Sequence, residues 1–202
     1  MLPPILRNNT KLEGQIRAGQ MGGVTYLMTT YRDCLSGAME LLAANPKTFV
    51  VGYNSTAGGT CNSFPVDRRP EMPLAEALCA GVAIGMSLNG FVPILWIERM
   101  DFILHSLDQI VNHLDKMALL SNGIHKPAVI IRVATGNKNT PLLTGPTHTQ
   151  DFSVPLRHMV TFPVIQLKWA SSIIPEYQKS LERALNGTST MLVEDRDLYA
   201  TT

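Results

Sequence analysis

Residues 73–102 read PLAEALCAGVAIGMSLNGFVPILWIERMDF, and this stretch decides the fold. Its first part is an apolar, glycine-dotted helix over 75–88 with one carboxylate, Glu76, at its mouth. Gly90 stops that helix. An unbroken apolar strand follows over 92–97, and Asp101-Phe102 opens the next helix. Gly81 and Gly85 cost the helix about 1 kcal/mol each against Ala. A packing gain at a close helix or subunit contact has to offset that cost.

Working outward, the same alternation recurs. Thr30 with Asp33 three residues on marks a helix start, and the helix runs to about residue 44, with Leu35, Met39 and Leu42 as its apolar stripe. Residues 48–52 (TFVVG) form a strand. A helix is expected over 101–120, closed by Asn122-Gly123. Strands are expected over 127–133 (PAVIIRV), 162–167 and 191–194, and a helix over 175–185 that starts at Pro175. Because the strands are continuous apolar runs, the expected fold class is α/β, a mainly parallel sheet with helices on both faces. Two long loops, 53–72 and 134–147, follow strands and reach the carboxyl rim, where such sheets bind ligands. Residues 1–27 read as an N-terminal arm and 28–202 as one domain.

Composition excludes several classes. With 202 residues, 45% of them hydrophobic, and a net charge of +1, the chain is long enough for a core and has no polyanion-binding tail. No nucleic-acid or membrane partner is expected, since no apolar run reaches the roughly 18 residues of a span. Cys34, Cys61 and Cys79 have no ligand spacing, and the odd count points to a reducing, cytoplasmic setting. No metal site is expected from the chain's own residues. The sequence contains no GxGxxG, Walker, GxSxG or GDG…N motif.

Two residues are candidates for chemistry. Glu76 is either a carboxylate favoured by the helix dipole or an acid whose apolar setting suits it to share a proton with a buried base. His148, in the Gly/Pro-rich loop, is either poised for proton transfer or bonded to backbone. Phe102 is a core residue or a ligand platform. Asp108 and Asn112 are polar groups at a subunit contact or on a solvated face. His105 and His113 read as helix-face or interface residues. His125 and His158 have no supporting context.

Pro73-Leu74-Ala75-Glu76, the glycine-spaced helix, Gly90-x-x-Pro93 and Asp101-Phe102…Asp108-Gln109-Ile110…Asn112-His113…Lys116 together resemble one family. So do Ser121-Asn122-Gly123…Pro127, the Arg132 strand, His148-x-Gln150 and Val193-Glu194…Leu198-Tyr199. The family is the pyrimidine-binding, transketolase-like domain of thiamine-diphosphate enzymes, as found in the beta subunits of pyruvate and branched-chain 2-oxoacid dehydrogenases. Gly145-Pro146-Thr147-His148 is nearer the loop of transketolase and deoxyxylulose phosphate synthase. The resemblance covers about residues 29–199.

The resemblance implies roles. Glu76 matches the glutamate that hydrogen-bonds the aminopyrimidine ring and favours the imino tautomer that deprotonates the thiazolium carbon. Phe102 matches the ring stacked on the pyrimidine, and His148 the histidine that contacts substrate. The implied cofactor is thiamine diphosphate with Mg2+ held mainly by a partner. The implied partners are a diphosphate-binding, alpha-type subunit and a second copy of this chain within a heterotetramer. The implied activity is decarboxylation, carboligation or two-carbon transfer on a 2-oxo acid or ketose. Gly52-Tyr53-Asn54 departs from the family's Gly-Glu and removes a second acid near the site. The sequence ends just past Tyr199, so the carboxyl-terminal docking domain is not expected, which favours a stand-alone carboligase or decarboxylase. The alternative reading is a non-catalytic regulatory or assembly subunit.

Overall fold

The computed structural model describes residues 19–21, 24–26, 30–56, 59–138 and 145–201. Two short strands, β1 (Gly19–Met21) and β2 (Val24–Tyr26), pair antiparallel. The remainder of the expected N-terminal arm lies outside the described residues.

Helix α1 (Tyr31–Ala43) starts as its sequence predicts. Thr30 accepts from the Asp33 N–H and the Asp33 carboxylate accepts from the Thr30 N–H, a complete capping box. Five strands follow: β3 (Thr48–Val51), β4 (Val92–Ile97), β5 (Ile130–Thr135), β6 (Val164–Gln166) and β7 (Thr190–Asp195). They form one sheet in the order β3-β4-β5-β7-β6, every pair parallel. The α/β reading therefore holds. β4 and β5 are buried along their whole length, which is why they read as continuous apolar runs.

Helices cover both faces. α1 packs with α5 (Ala170–Leu185) over one face, around Leu35, Met39, Ile173 and Tyr177. α2 (Glu76–Leu88) and the segment after β4 cover the other. Ala83, Ile103 and Ile110 pack there on Ile131 and Val133 of the sheet, with Leu156 of α4 (Ser153–Met159).

Three local expectations are corrected. The helix expected over 101–120 is broken into a 3-10 helix (Met100–Ser106), a π-helix (Gln109–Leu114) and a short α-helix, α3 (Met117–Leu120). The buried positions Ile103, Ser106, Ile110 and Leu114 keep a helical spacing, which is why the stretch reads as one helix. The turns between them are tightened and then widened. The widened turn is closed by the Asp115 N–H on the Ile110 carbonyl, while the Asp115 carboxylate takes Thr161 N and Oγ1, both at 2.7 Å.

Helix α5 begins at Ala170 and not at Pro175, which lies inside it. The buried Ile173 side chain anchors that first turn. Helix α4 is not among the expected elements, and it carries Pro155 as its third residue. In the first turn of a helix, however, the missing N–H has no intrahelical partner to lose.

The glycines of α2 also read differently in three dimensions. A Cβ built on Gly81 or Gly85 meets nothing within 4 Å, so no contact within the described residues offsets their cost.

Candidate functional site

β3 and β4 lie side by side and end at the same rim. Gly52, just past β3, sits so close to β4 that a Cβ there would stand 2.3 Å from the Trp96 carbonyl oxygen. Only glycine fits this approach. The chain then turns at Tyr53, which is 42% exposed at the rim. Residue 71 returns to the same corner. It bridges Gly52, and the Glu71 carboxylate accepts from the Asn54 N–H and from Ser55 Oγ.

A cleft opens at this rim, lined by Tyr53, Glu76, Cys79, Trp96, Ile97, Glu98 and Phe102. Glu76 is the first residue of α2 and is half-buried. Among the described residues its carboxylate makes no hydrogen bond or ion pair. Cys79, one turn further, is buried, and both burial and the Glu76 charge push its thiol upward, so it stays neutral. Glu76 and Phe102 thus share one cleft, with Trp96 and Ile97 supplying its aromatic and aliphatic walls.

His148 does not line the cleft itself but meets it through Phe102. Its 3-10 turn (Gly145–His148) brings the imidazole edge-on to the Phe102 ring, with centroids 5.1 Å apart and planes at 89°. Two further contacts fix it. A Cβ on Gly136 would lie 1.6 Å from the His148 carbonyl oxygen, so the turn packs directly on the end of β5. Gln150 Nε2 donates to Asp101 Oδ1 at 2.8 Å, tying the same turn to the residue before Phe102.

The other histidines are elsewhere. His105, His113, His125 and His158 are exposed. Asp108 and Asn112 are exposed too: Asn112 Nδ2 donates to Asp108 Oδ1 at 2.9 Å, and His113 lies 3.4 Å from the same carboxylate. No group of three or more potential metal ligands occurs among the described residues.

Sequence reading missed two features. The first is Glu98, a second carboxylate on the cleft wall, with Arg196 Nη2 3.6 Å from its Oε1. The exchange of the Gly-Glu pair for Gly52-Tyr53 therefore does not leave Glu76 as the sole acid there. The second lies behind Trp96. Arg132, 1% exposed, donates from Nε to Glu194 Oε1 at 2.5 Å and stacks its guanidinium 4.5 Å over the Trp96 ring. Its other nitrogens reach Thr60 Oγ1 at 3.0 Å and Cys61 Sγ at 3.2 Å, which anchors the loop after β3. Tyr177 Oη and Tyr199 Oη both donate to Glu194, at 2.7 and 2.5 Å. Burial opposes the Arg132 charge, but Glu194 outweighs it, and the guanidinium is held even more firmly protonated than usual. Burial, then Glu194, pushes both phenols well up. A signal for this pair was present: a lone arginine within the apolar run of β5, and Glu194 directly after Met191-Leu192-Val193 of β7.

The chain is similar in sequence to the pyruvate dehydrogenase E1 component subunit beta of Leifsonia xyli, with 31% identity over 109 residues, 50% of this chain and 32% of that protein. The mitochondrial subunit of the same name from Saccharomyces cerevisiae is 29% identical over 133 residues, 61% of this chain and 36% of that one. These matches span about a third of the length of the curated relatives. In fold it resembles a split-gene transketolase described as an inactive beta4 tetramer, with a TM-score of 0.62, 19% identity, and coverage of 83% of this chain and 52% of that one. A thiamine-diphosphate-dependent 4-hydroxybenzoylformate decarboxylase of Rhodococcus jostii gives a TM-score of 0.59 at 12% identity, over 86% of this chain and 31% of that one. No family model matches the chain. The fold is therefore that of transketolase-like thiamine-diphosphate enzymes, and the sequence resemblance is to 2-oxoacid dehydrogenase beta subunits. No helix among the described residues is long and apolar enough to cross a membrane.

Proposed function

We propose that this chain is the pyrimidine-binding subunit of a thiamine-diphosphate-dependent enzyme acting on a 2-oxo acid or ketose-like substrate. The observation that carries this reading is one cleft that holds a carboxylate without a partner among the described residues, Glu76, and a ring, Phe102, with the His148 imidazole against that ring. The cleft offers the cofactor's pyrimidine a ring to stack on and a carboxylate to bond. Trp96, Ile97 and Phe102 give it an apolar wall, and the Glu76 carboxylate has no partner among the described residues and can bond a ring nitrogen.

When bound, the cofactor supplies a carbon nucleophile and an electron sink. The chain's own residues would do the rest. Glu76 would hold a proton at the ring's edge, Phe102 would support its face, and His148, held against Phe102, would contact the substrate. Trp96, pinned from behind by Arg132, would keep water from the floor.

On this reading the diphosphate and Mg2+ belong to a separate alpha-type chain, and two copies of this chain meet within a heterotetramer. The exposed Gly81 and Leu78 on α2 are available for such a contact. The split-gene neighbour in fold, described as an inactive beta4 tetramer, supports a two-chain arrangement. Three buried free cysteines support a reducing, cytoplasmic compartment.

The test is Glu76→Gln in the complex reconstituted with the diphosphate-binding chain. Turnover is expected to fall by roughly 100-fold or more. Unchanged turnover would instead identify a non-catalytic regulatory or assembly subunit.

A further inference from the structure

Arg99 immediately follows Glu98 of the cleft wall and is only 4% exposed. Among the described residues its guanidinium has one hydrogen bond, a weak one from Nη1 to Asn137 Oδ1 at 3.4 Å. It forms no ion pair within 4.0 Å among those residues. Arg132, buried within β5, shows what a structural arginine looks like here. It has a carboxylate, a hydroxyl, a thiol and an indole face. Half-buried Arg68 likewise caps three backbone carbonyls. Arg99 is satisfied in neither way. A largely buried cation with no ion pair and one weak hydrogen bond among the described residues is costly to keep, and an anion that completed it would recover part of that cost.

Its surroundings place that something at the rim. Asn137 follows β5, Arg99 follows β4 and Arg196 follows β7, so three neighbouring strands deliver these groups to the carboxyl edge where the cleft opens. Burial lowers the affinity of Arg99 for its proton, and the Arg196 charge lowers it further, while Glu98, Tyr199 and Asp101 work the other way. Neither acid neutralises Arg99 directly. Asp101 bonds Gln150, and Glu98 leans on Arg196 at 3.6 Å. Arg196 has spare capacity as well, because its Nε is buried without an acceptor.

We propose that Arg99, with Arg196 beside it, receives an oxyanionic group of the substrate, a carboxylate or a phosphate. The planar guanidinium fork suits either group, and a bidentate contact would supply the missing counter-charge. That the anion belongs to the substrate rests on the proposed function, whereas the existence of the anion site does not.

The experiment is thermal unfolding of the full chain in inorganic phosphate or 2-oxoglutarate, against chloride at matched ionic strength. Both probes are expected to raise the wild-type Tm. The larger shift identifies whether phosphate or carboxylate is preferred. Arg99→Met is expected to abolish the shift while leaving the anion-free Tm unchanged or higher, since it removes an unpaired buried charge. Arg99→Lys folds with the charge kept but loses the fork, and is expected to bind about tenfold more weakly. Glu76→Gln is expected to keep the wild-type shift, so loss of the catalytic reading and loss of the anion site are told apart. The proposal is overturned if chloride matches both probes. It is also overturned if Arg99→Met or Arg99→Lys responds as wild type, or if Arg99→Met lowers the anion-free Tm.

Discussion

Arg132 and Glu194 are joined across the β5–β7 pair, with Arg132 Nε donating to Glu194 Oε1 at 2.5 Å and both side chains 1% exposed or less. In register Arg132 lies opposite Leu192, so the guanidinium reaches two residues along to its partner, under Trp96. The pair joins the floor of the cleft, the loop after β3 and the tyrosines of α5 and the segment after β7 into one polar core.

Removing one member leaves the other charged and buried. Arg132→Met is expected to cost about 3–5 kcal/mol in urea unfolding. Arg132→Met with Glu194→Gln is expected to recover part of that loss, because no lone charge remains. Equal losses in the single and double variants would show that the two side chains do not act as a pair.

The tyrosines around Glu194 set an alkaline limit. The Tyr31, Tyr177 and Tyr199 phenols are all raised above 10.0, by burial first and then by Glu194. A raised folded-state value means the native chain keeps protons that the unfolded chain gives up. Stability is therefore full below pH 10 and falls as pH rises above it, by about 1.4 kcal/mol per pH unit for each tyrosine. Tyr199→Phe should flatten the slope of unfolding free energy above about pH 10, where the unfolded phenol ionises; a slope identical to wild type would contradict it.

Gly136 sets where His148 sits. Gly136→Ala pushes a methyl into the His148 carbonyl and is expected to move the whole Gly145–His148 turn. In the reconstituted complex its turnover should match that of His148→Ala, with far-UV circular dichroism unchanged. Wild-type turnover would show that the turn's position does not matter to His148.

All three cysteines are free and buried. Thiol titration is expected to find none reactive in the native chain and all three in guanidinium. Burial, aided by Asp33 and Glu76 respectively, also raises the Cys34 and Cys79 thiols, which keeps them protonated at neutral pH. A thiol that reacts rapidly in the native state would contradict the packing around α1 and α2.

What the sequence determined is local. Thr30 and Asp33 marked a helix start because a cap is satisfied within four residues. The apolar runs at 92–97 and 127–133 marked buried parallel strands because both of their faces are covered. Those signals were enough for the α/β class and for a site at the carboxyl rim. Glu76, Phe102 and His148 were its candidates through their place in the chain and the family resemblance. The stretch 101–120 was misread as one helix because its buried positions keep a helical spacing. Its departure is tied to a residue 46 positions further on, where the Asp115 carboxylate meets Thr161, and no local pattern announces that contact. Tertiary structure alone decided that His148 meets Phe102 edge-on and that Glu98 joins Glu76 on one cleft. It alone decided that Arg132 finds Glu194 while Arg99 finds no acid among the described residues. Arg132 and Glu194 stand 62 residues apart in the chain, about the length of two βαβ units. Which charges end opposite one another depends on the order of the strands in the sheet, and strand order is not written in any single stretch.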